Sequence, residues 1–222
     1  LTDNAGMLLP AVVDRRLSLT ARIAAELRDR RDPDALVHSM QDLLRQRVYG
    51  LLAGYADAND AARLKNDPTF RLLLDRSLED EEDVLASQPT FSRFENAINK
   101  GSLMRWGQLL VDTVLKQQRK RRGKVRRITL DIDPTDDATH GQQCFSFFNT
   151  HYDSWCFLPL LAFATFHDKW NREEPERYLL VALLRRGNAN ATLGFSGLLR
   201  RLVQRIRRIF PEARLRVRLD GA

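Results

Sequence analysis

Ile128-Thr-Leu-Asp-Ile-Asp-Pro-Thr-Asp-Asp137 marks the point where the chain changes its pattern. Ile128, Leu130 and Ile132 alternate with Thr129, Asp131 and Asp133, the two-residue period of a strand buried on one face. Pro134 has no N–H to give to a ladder, so the strand stops there. Asp131 and Asp133 are two residues apart and share a strand face. With Asp136 and Asp137 they place four carboxylates within seven residues. Such groups repel one another unless a cation neutralises them, and hard oxygen donors suit Mg²⁺ or Mn²⁺. An Asp-rich turn after an edge strand accounts for the same residues. The surrounding chain has to decide.

Upstream, residues 1–118 read as helical. Leu19, Ile23 and Leu27 form one stripe, which Asp32-Pro33 breaks, with Pro33 suited to the first turn of the next helix. Met40, Leu43, Leu44, Val48, Leu51, Leu52 and Tyr55 make the clearest 3.6-residue face. In Ser87–Asn96 and just beyond it, Phe91, Phe94 and Ile98 would point inward, and Ser92 and Glu95 have capping-box spacing. Arg93 and Asn96 would face outward, where base and phosphate contacts need them; an ordinary capped surface helix has the same pattern. A further helix, Ser102 to about Gln118, would bury Leu103, Trp106, Leu110 and Val114.

Between that helix and the acidic strand runs Lys116-Gln-Gln-Arg-Lys-Arg-Arg-Gly-Lys-Val-Arg-Arg127, eight basic residues in twelve with no acid. Lys116, Arg119, Lys120, Arg121, Arg122, Lys124, Arg126 and Arg127 read as a phosphate-contacting patch, a flexible tether, or both. The 222-residue chain has a net charge of +7, which fits an anionic partner, nucleic acid first. Its 43% hydrophobic content is enough for a core. No apolar run is long enough for a transmembrane helix, and Cys144 and Cys156 lack the partners of a zinc site. They read as buried thiols of a reducing cytoplasm.

Downstream of the acidic strand, Cys144–Phe148, the long Trp155–Phe166 and Tyr178–Leu184 read as strands, with Pro159 marking a bulge or edge. A helix follows with Leu198, Leu202, Ile206 and Phe210 on one face and five arginines on the other. Leu215, Val217 and Leu219 then alternate with Arg214, Arg216 and Arg218 in a last strand that runs into Asp220. An antiparallel meander, a helical crossover and a parallel strand would set Asp133 and Asp220 at the ends of neighbouring strands, about 4.8 Å apart, close enough to share a divalent cation. The expected fold is therefore α+β: a helical N-terminal region followed by a partial ribonuclease-H-like domain.

Several motifs carry a more specific resemblance. Asp131-Ile-Asp-Pro-Thr-Asp-Asp137, His140-Gly-Gln-Gln143, Phe148-Asn-Thr-His-Tyr-Asp153, Leu158-Pro-Leu160, Leu184-Arg-Arg-Gly-Asn188 and Arg216-Val-Arg-Leu-Asp-Gly221 resemble the DDE transposases of bacterial insertion sequences, in DDE domain group 1. Arg47-Val-Tyr-Gly50, Tyr55-Ala-Asp-Ala-Asn-Asp60, Asn66-Asp-Pro68 and Leu85-Ala-Ser-Gln-Pro-Thr90 are similar to the same family's helical region. The resemblance covers nearly the whole chain and implies cleavage of DNA at element ends and strand transfer to target DNA. It maps the first two catalytic, metal-binding aspartates onto Asp133 and Asp220, with two Mg²⁺ or Mn²⁺ ions in the complete site. Asp131, Asp136, Asp137 and His140 are candidates for supporting that site.

It also implies three segments: a DNA-binding or oligomerisation region at 1–118, a basic linker at 119–124, and the first half of a catalytic domain at 125–222. The family's later glutamate has no counterpart here, so the expectation is a truncated enzyme that is inactive alone. The alternative is a non-catalytic DNA-binding remnant that interferes with a full-length enzyme; a ribonuclease-H-like nuclease of unrelated purpose is a weaker third. The implied partners are terminal-repeat and target DNA and a second copy of the chain in a homodimer, with no membrane. The implied location is the bacterial cytoplasm, at the nucleoid.

Overall fold

The structure, a computed structural model, describes residues 3–167, 176–190 and 192–219. It is α+β and divides into two compact units between Trp106 and Gly107.

The first unit is helical: α1 (Leu8–Leu17), α2 (Leu19–Ala25), α3 (Met40–Leu52), α4 (Asp60–Leu64), α5 (Pro68–Leu73), α6 (Gln88–Ala97) and the start of α7 (Lys100–Arg122). Ser18, in the left-handed region at φ 49°, separates α1 from α2. Pro33 starts only a short 3-10 turn, because α3 has its own start: Ser39 and Asp42 form a reciprocal capping box. Tyr49, Leu64, Phe70 and Leu85 centre the core. Beside it the Asp14 carboxylate accepts from the Thr20 N–H (2.8 Å) and the Tyr49 hydroxyl (2.8 Å), so a buried charge is satisfied. Helix α6 begins at Gln88 after Ser87, which leaves Ser92 inside the helix, accepting from the Gln88 amide. The Ser92–Glu95 capping box is therefore not formed; Glu95 pairs with Arg47 at 2.6 Å instead.

The second unit is built on a four-stranded sheet of order β6-β5-β1-β7. Its strands are β1 (Arg127–Pro134), β5 (Leu160–His167), β6 (Arg177–Leu183) and β7 (Arg214–Leu219), with α8 (Phe195–Ile209) crossing before β7. β1 pairs antiparallel with β5 and parallel with β7. This is the expected meander, crossover and parallel strand, consistent with a ribonuclease-H-like domain. Ile128, Leu130, Ile132, Ala162 and Ala164 pack against Val111 and Leu115 of α7 and Leu198, Leu202 and Ile206 of α8. Within α7, Val111 and Leu115 are buried, whereas Leu103 and Leu110 are 55% and 41% exposed; the expected inward face is rotated.

Two features differ from the sequence reading. The expected long strand Trp155–Phe166 is two strands, broken at Leu158-Pro159 because proline cannot donate to a ladder. Its first part, β4 (Ser154–Phe157), joins β2 (Asp137–Ala138) and β3 (Phe147–Asn149) in a separate sheet of order β2-β4-β3. The basic run is also not a free linker: α7 continues through Arg122, so more than half of the run is helical. Among the described residues, no helix is long and apolar enough to cross a membrane.

Candidate active site

Strand β1 carries Asp131 and Asp133 on the sheet face opposite Ile128, Leu130 and Ile132, and the two have different surroundings. Asp131 is held by Arg218, its partner across the parallel ladder, through a two-pronged pair; the Arg218 Nη2–Asp131 Oδ2 distance is 2.9 Å. That hydrogen bond holds the Asp131 carboxyl below its usual range against the opposing effect of partial burial. Asp131 is thus a strand-pairing charge. Asp133, two residues on, is exposed at the end of the strand.

The backbone beyond Asp133 is braced from the small sheet. The Tyr152 hydroxyl donates to the Pro134 carbonyl (3.3 Å), and Thr135 N–H donates to the Pro159 carbonyl (3.0 Å). Burial raises the Tyr152 pKa, and the negative charges of Asp133 and Asp136 add to the rise. Negative potential is therefore concentrated where β1 ends. Asp136, Asp137 and His140 are all exposed, Asp137 in β2 opposite Phe157. Among the described residues, no three acidic, histidine or cysteine side chains converge as a ready metal cluster. Asp220 lies outside the described residues. Ile132↔Leu219 is the last described pair of the parallel ladder, and Asp133 and Asp220 are the residues that follow each in sequence.

Residues beyond the acidic cluster hold this scaffold together. Gly187 passes so close to β3 and β4 that a Cβ there would stand 2.0 Å from the Cys156 carbonyl and 2.6 Å from that of Phe147. Asn149 fastens the same segment by donating to the Gly187 carbonyl at 2.8 Å. The Arg185 guanidinium is buried and donates to the carbonyls of Leu158 (2.9 Å), Asn190 (3.1 Å) and Leu193 (3.1 Å). Tyr152, Asn149, Arg185 and Gly187 all sit in the motifs of the sequence reading, where nothing marked them as braces. Arg218 was legible only as part of an alternating strand.

The proposed DNA-contacting residues fall into two groups. Arg121 and Arg122 pair with Glu176 at 2.7 and 3.1 Å, and Arg122 also binds Gln118. Arg119 caps α7 by donating to the Gly123 carbonyl and lies over the Phe210 ring at 5.7 Å. By contrast Lys116, Lys120, Lys124 and Arg126 are exposed. Arg127 is exposed beside His167, its Nη2 3.4 Å from the imidazole Nδ1. On α8, Arg205 bridges to Asp112 (2.6 Å) and Gln108 (2.7 Å), and Arg207 donates to the Pro211 and Ala213 carbonyls; both act within the fold. In the helical unit, Arg93 and Asn96 are exposed on α6. Arg93 lies with Arg28, Arg31 and Arg105 around a cleft of about 840 Å³.

The family model described as Transposase DDE domain group 1 matches residues 1–222, the whole chain. No curated protein and no solved structure matches.

Proposed function

The chain belongs to the Transposase DDE domain group 1 family, and on that premise we propose that it takes part in metal-dependent DNA cleavage and strand transfer at the ends of an insertion sequence. The observation that carries this reading is Asp133: an exposed carboxylate at the end of a central strand, with its following backbone braced and Asp136 adding negative charge nearby.

The donor chemistry fits a divalent cation. The oxygens are hard, they carry net negative charge, and Asp131, neutralised by Arg218, does not compete. Asp133 and Asp220 would hold Mg²⁺ or Mn²⁺. When bound, such ions supply the positive charge that activates a water or a 3′-hydroxyl and neutralises the leaving oxygen. Tyr152 holds the Pro134 backbone at the end of β1, which would keep the neighbouring Asp133 in place to meet the phosphodiester. Lys116, Lys120, Lys124, Arg126 and Arg127 would hold the DNA by its phosphates, with Arg93 and Asn96 contributing from the helical unit. In this reading residues 1–118 are the DNA-binding or oligomerisation region and the partner is a second copy of the chain.

A second reading, DNA binding without cleavage, is favoured by one observation. The exposed lysines and arginines gather where β1 begins, and Asp133 stands six residues on, roughly 20 Å away. Retention of DNA and the carboxylate site are therefore separable. The test is Mg²⁺-dependent nicking of a duplex bearing the element's ends, by this chain and by its Asp133→Ala variant. Nicking that stops with EDTA and in the variant supports the transposase reading. Binding without nicking by either protein selects the second.

A further inference from the structure

The four-stranded sheet has a second face, turned away from α7 and α8, and its charge is one-sided. Strand β7 sets Arg214, Arg216 and Arg218 on it at every second position, as the Arg218–Asp131 pair and the register Arg127↔Arg214 and Thr129↔Arg216 require. β1 adds Arg127, and β6 adds Arg177 opposite Thr165. Among the described residues, the strand carboxylates on the same face are Asp131, already neutralised by Arg218, and Asp133 at the far end. Arg214 and Arg216 are exposed and, among the described residues, make no side-chain hydrogen bond or ion pair.

An independent observation lies in the middle of this face. Thr165, opposite Thr129 in the ladder, is 3% exposed, and its hydroxyl is buried without a hydrogen-bond partner. A buried, unpartnered hydroxyl costs free energy in the isolated chain, and a polar partner supplied from outside the chain would recover it. The electrostatics agree: burial lowers the His167 pKa, and the charges of Arg127, Arg218, Arg122 and Arg216 lower it further.

The spacing selects the ligand. Side chains two apart on a strand are roughly 6.6 Å apart, comparable with successive phosphates along a nucleic-acid strand. Guanidinium forks match phosphate oxygens. We propose that this sheet face is a second DNA-docking surface, where a duplex backbone lies along β7 with its phosphates on Arg214 and Arg216, flanked by Arg127 and Arg177, and leads toward Asp133. The inference rests on the DNA-processing reading above and adds the sheet face along β7 to the basic end of α7, the two meeting at Arg127.

The test is fluorescence anisotropy of a short random-sequence duplex over a series of salt concentrations, with the full chain. Each lost phosphate contact lowers the slope of log affinity against log salt by about 0.9. Arg214→Gln with Arg216→Gln should lower it by about 2, while Arg214→Lys with Arg216→Lys keeps it. Arg200→Gln with Arg201→Gln, which removes two exposed charges from α8, should leave it unchanged. Thermal melts matching wild type show that each variant is folded, as expected for exposed side chains. Equal loss in the β7 and α8 pairs would overturn the proposal, because net charge alone would then explain it. So would an unchanged slope in the β7 pair accompanied by lost affinity for polyglutamate, which would make the face a protein-docking surface. Wild-type protein that binds no duplex at any salt sinks the DNA reading itself; wild type that binds while the β7 pair keeps its slope sinks only this inference.

Discussion

Asp131 and Asp133 lie one strand repeat apart, the first half-buried within the sheet and the second exposed at the strand's end. Asp131 is held there by Arg218, 87 residues away, whose guanidinium reaches its carboxylate. Gly187 is defined the same way, by what lies opposite. The position tolerates no side chain, since a Cβ would overlap two carbonyl oxygens. Gly187→Ala should therefore destabilise the second unit by about 3 kcal/mol, read as a lower urea midpoint at unchanged slope. A variant as stable as wild type would show that the β3–β4 edge moves aside easily. Asp133 stood out in the sequence because its own neighbours alternate. Asp131's pairing and Gly187's crowding are set by residues distant in sequence, and a local pattern carries no trace of them.

The end of α7 gives the corresponding case among the elements. Read along the chain, residues 116–127 are basic without an acid, which suggests a solvated run. In the folded unit Glu176, just before β6, supplies the acid and takes Arg121, Arg122 and the Tyr178 hydroxyl. The helix can then continue to Arg122 where the run alone suggested a linker. The Tyr178 and Arg121 hydrogen bonds depress the Glu176 pKa from 4.5 to about 2. A depressed carboxylate stabilises the fold above its ordinary pKa, and that contribution fades as pH falls through the folded value. Melting temperature should therefore drop more steeply between pH 4.5 and about 2 in wild type than in Glu176→Gln. Parallel acid limbs in the two proteins would mean that this tether contributes nothing to folding. The order of strands and the crossover helix were legible, because alternation and the 3.6-residue period are local. The separate three-stranded sheet was not, because its strands are two to four residues long and one proline divides what otherwise looks continuous.

At the scale of the whole molecule, compactness divides the chain inside α7, with a helical unit before Gly107 and a sheet-based one from there on. The family match extends over both units. The two cysteines give this architecture a use of its own. Only one is the buried thiol that the sequence suggested: Cys156 in β4 has no accessible surface, while Cys144, in the connection between β2 and β3, is exposed. A maleimide should label one thiol of the native protein at once and the other only as often as β4 comes free of its neighbours. Because that small sheet braces the backbone beyond Asp133, the slow labelling rate is a clock for how often the carboxylate loses its support.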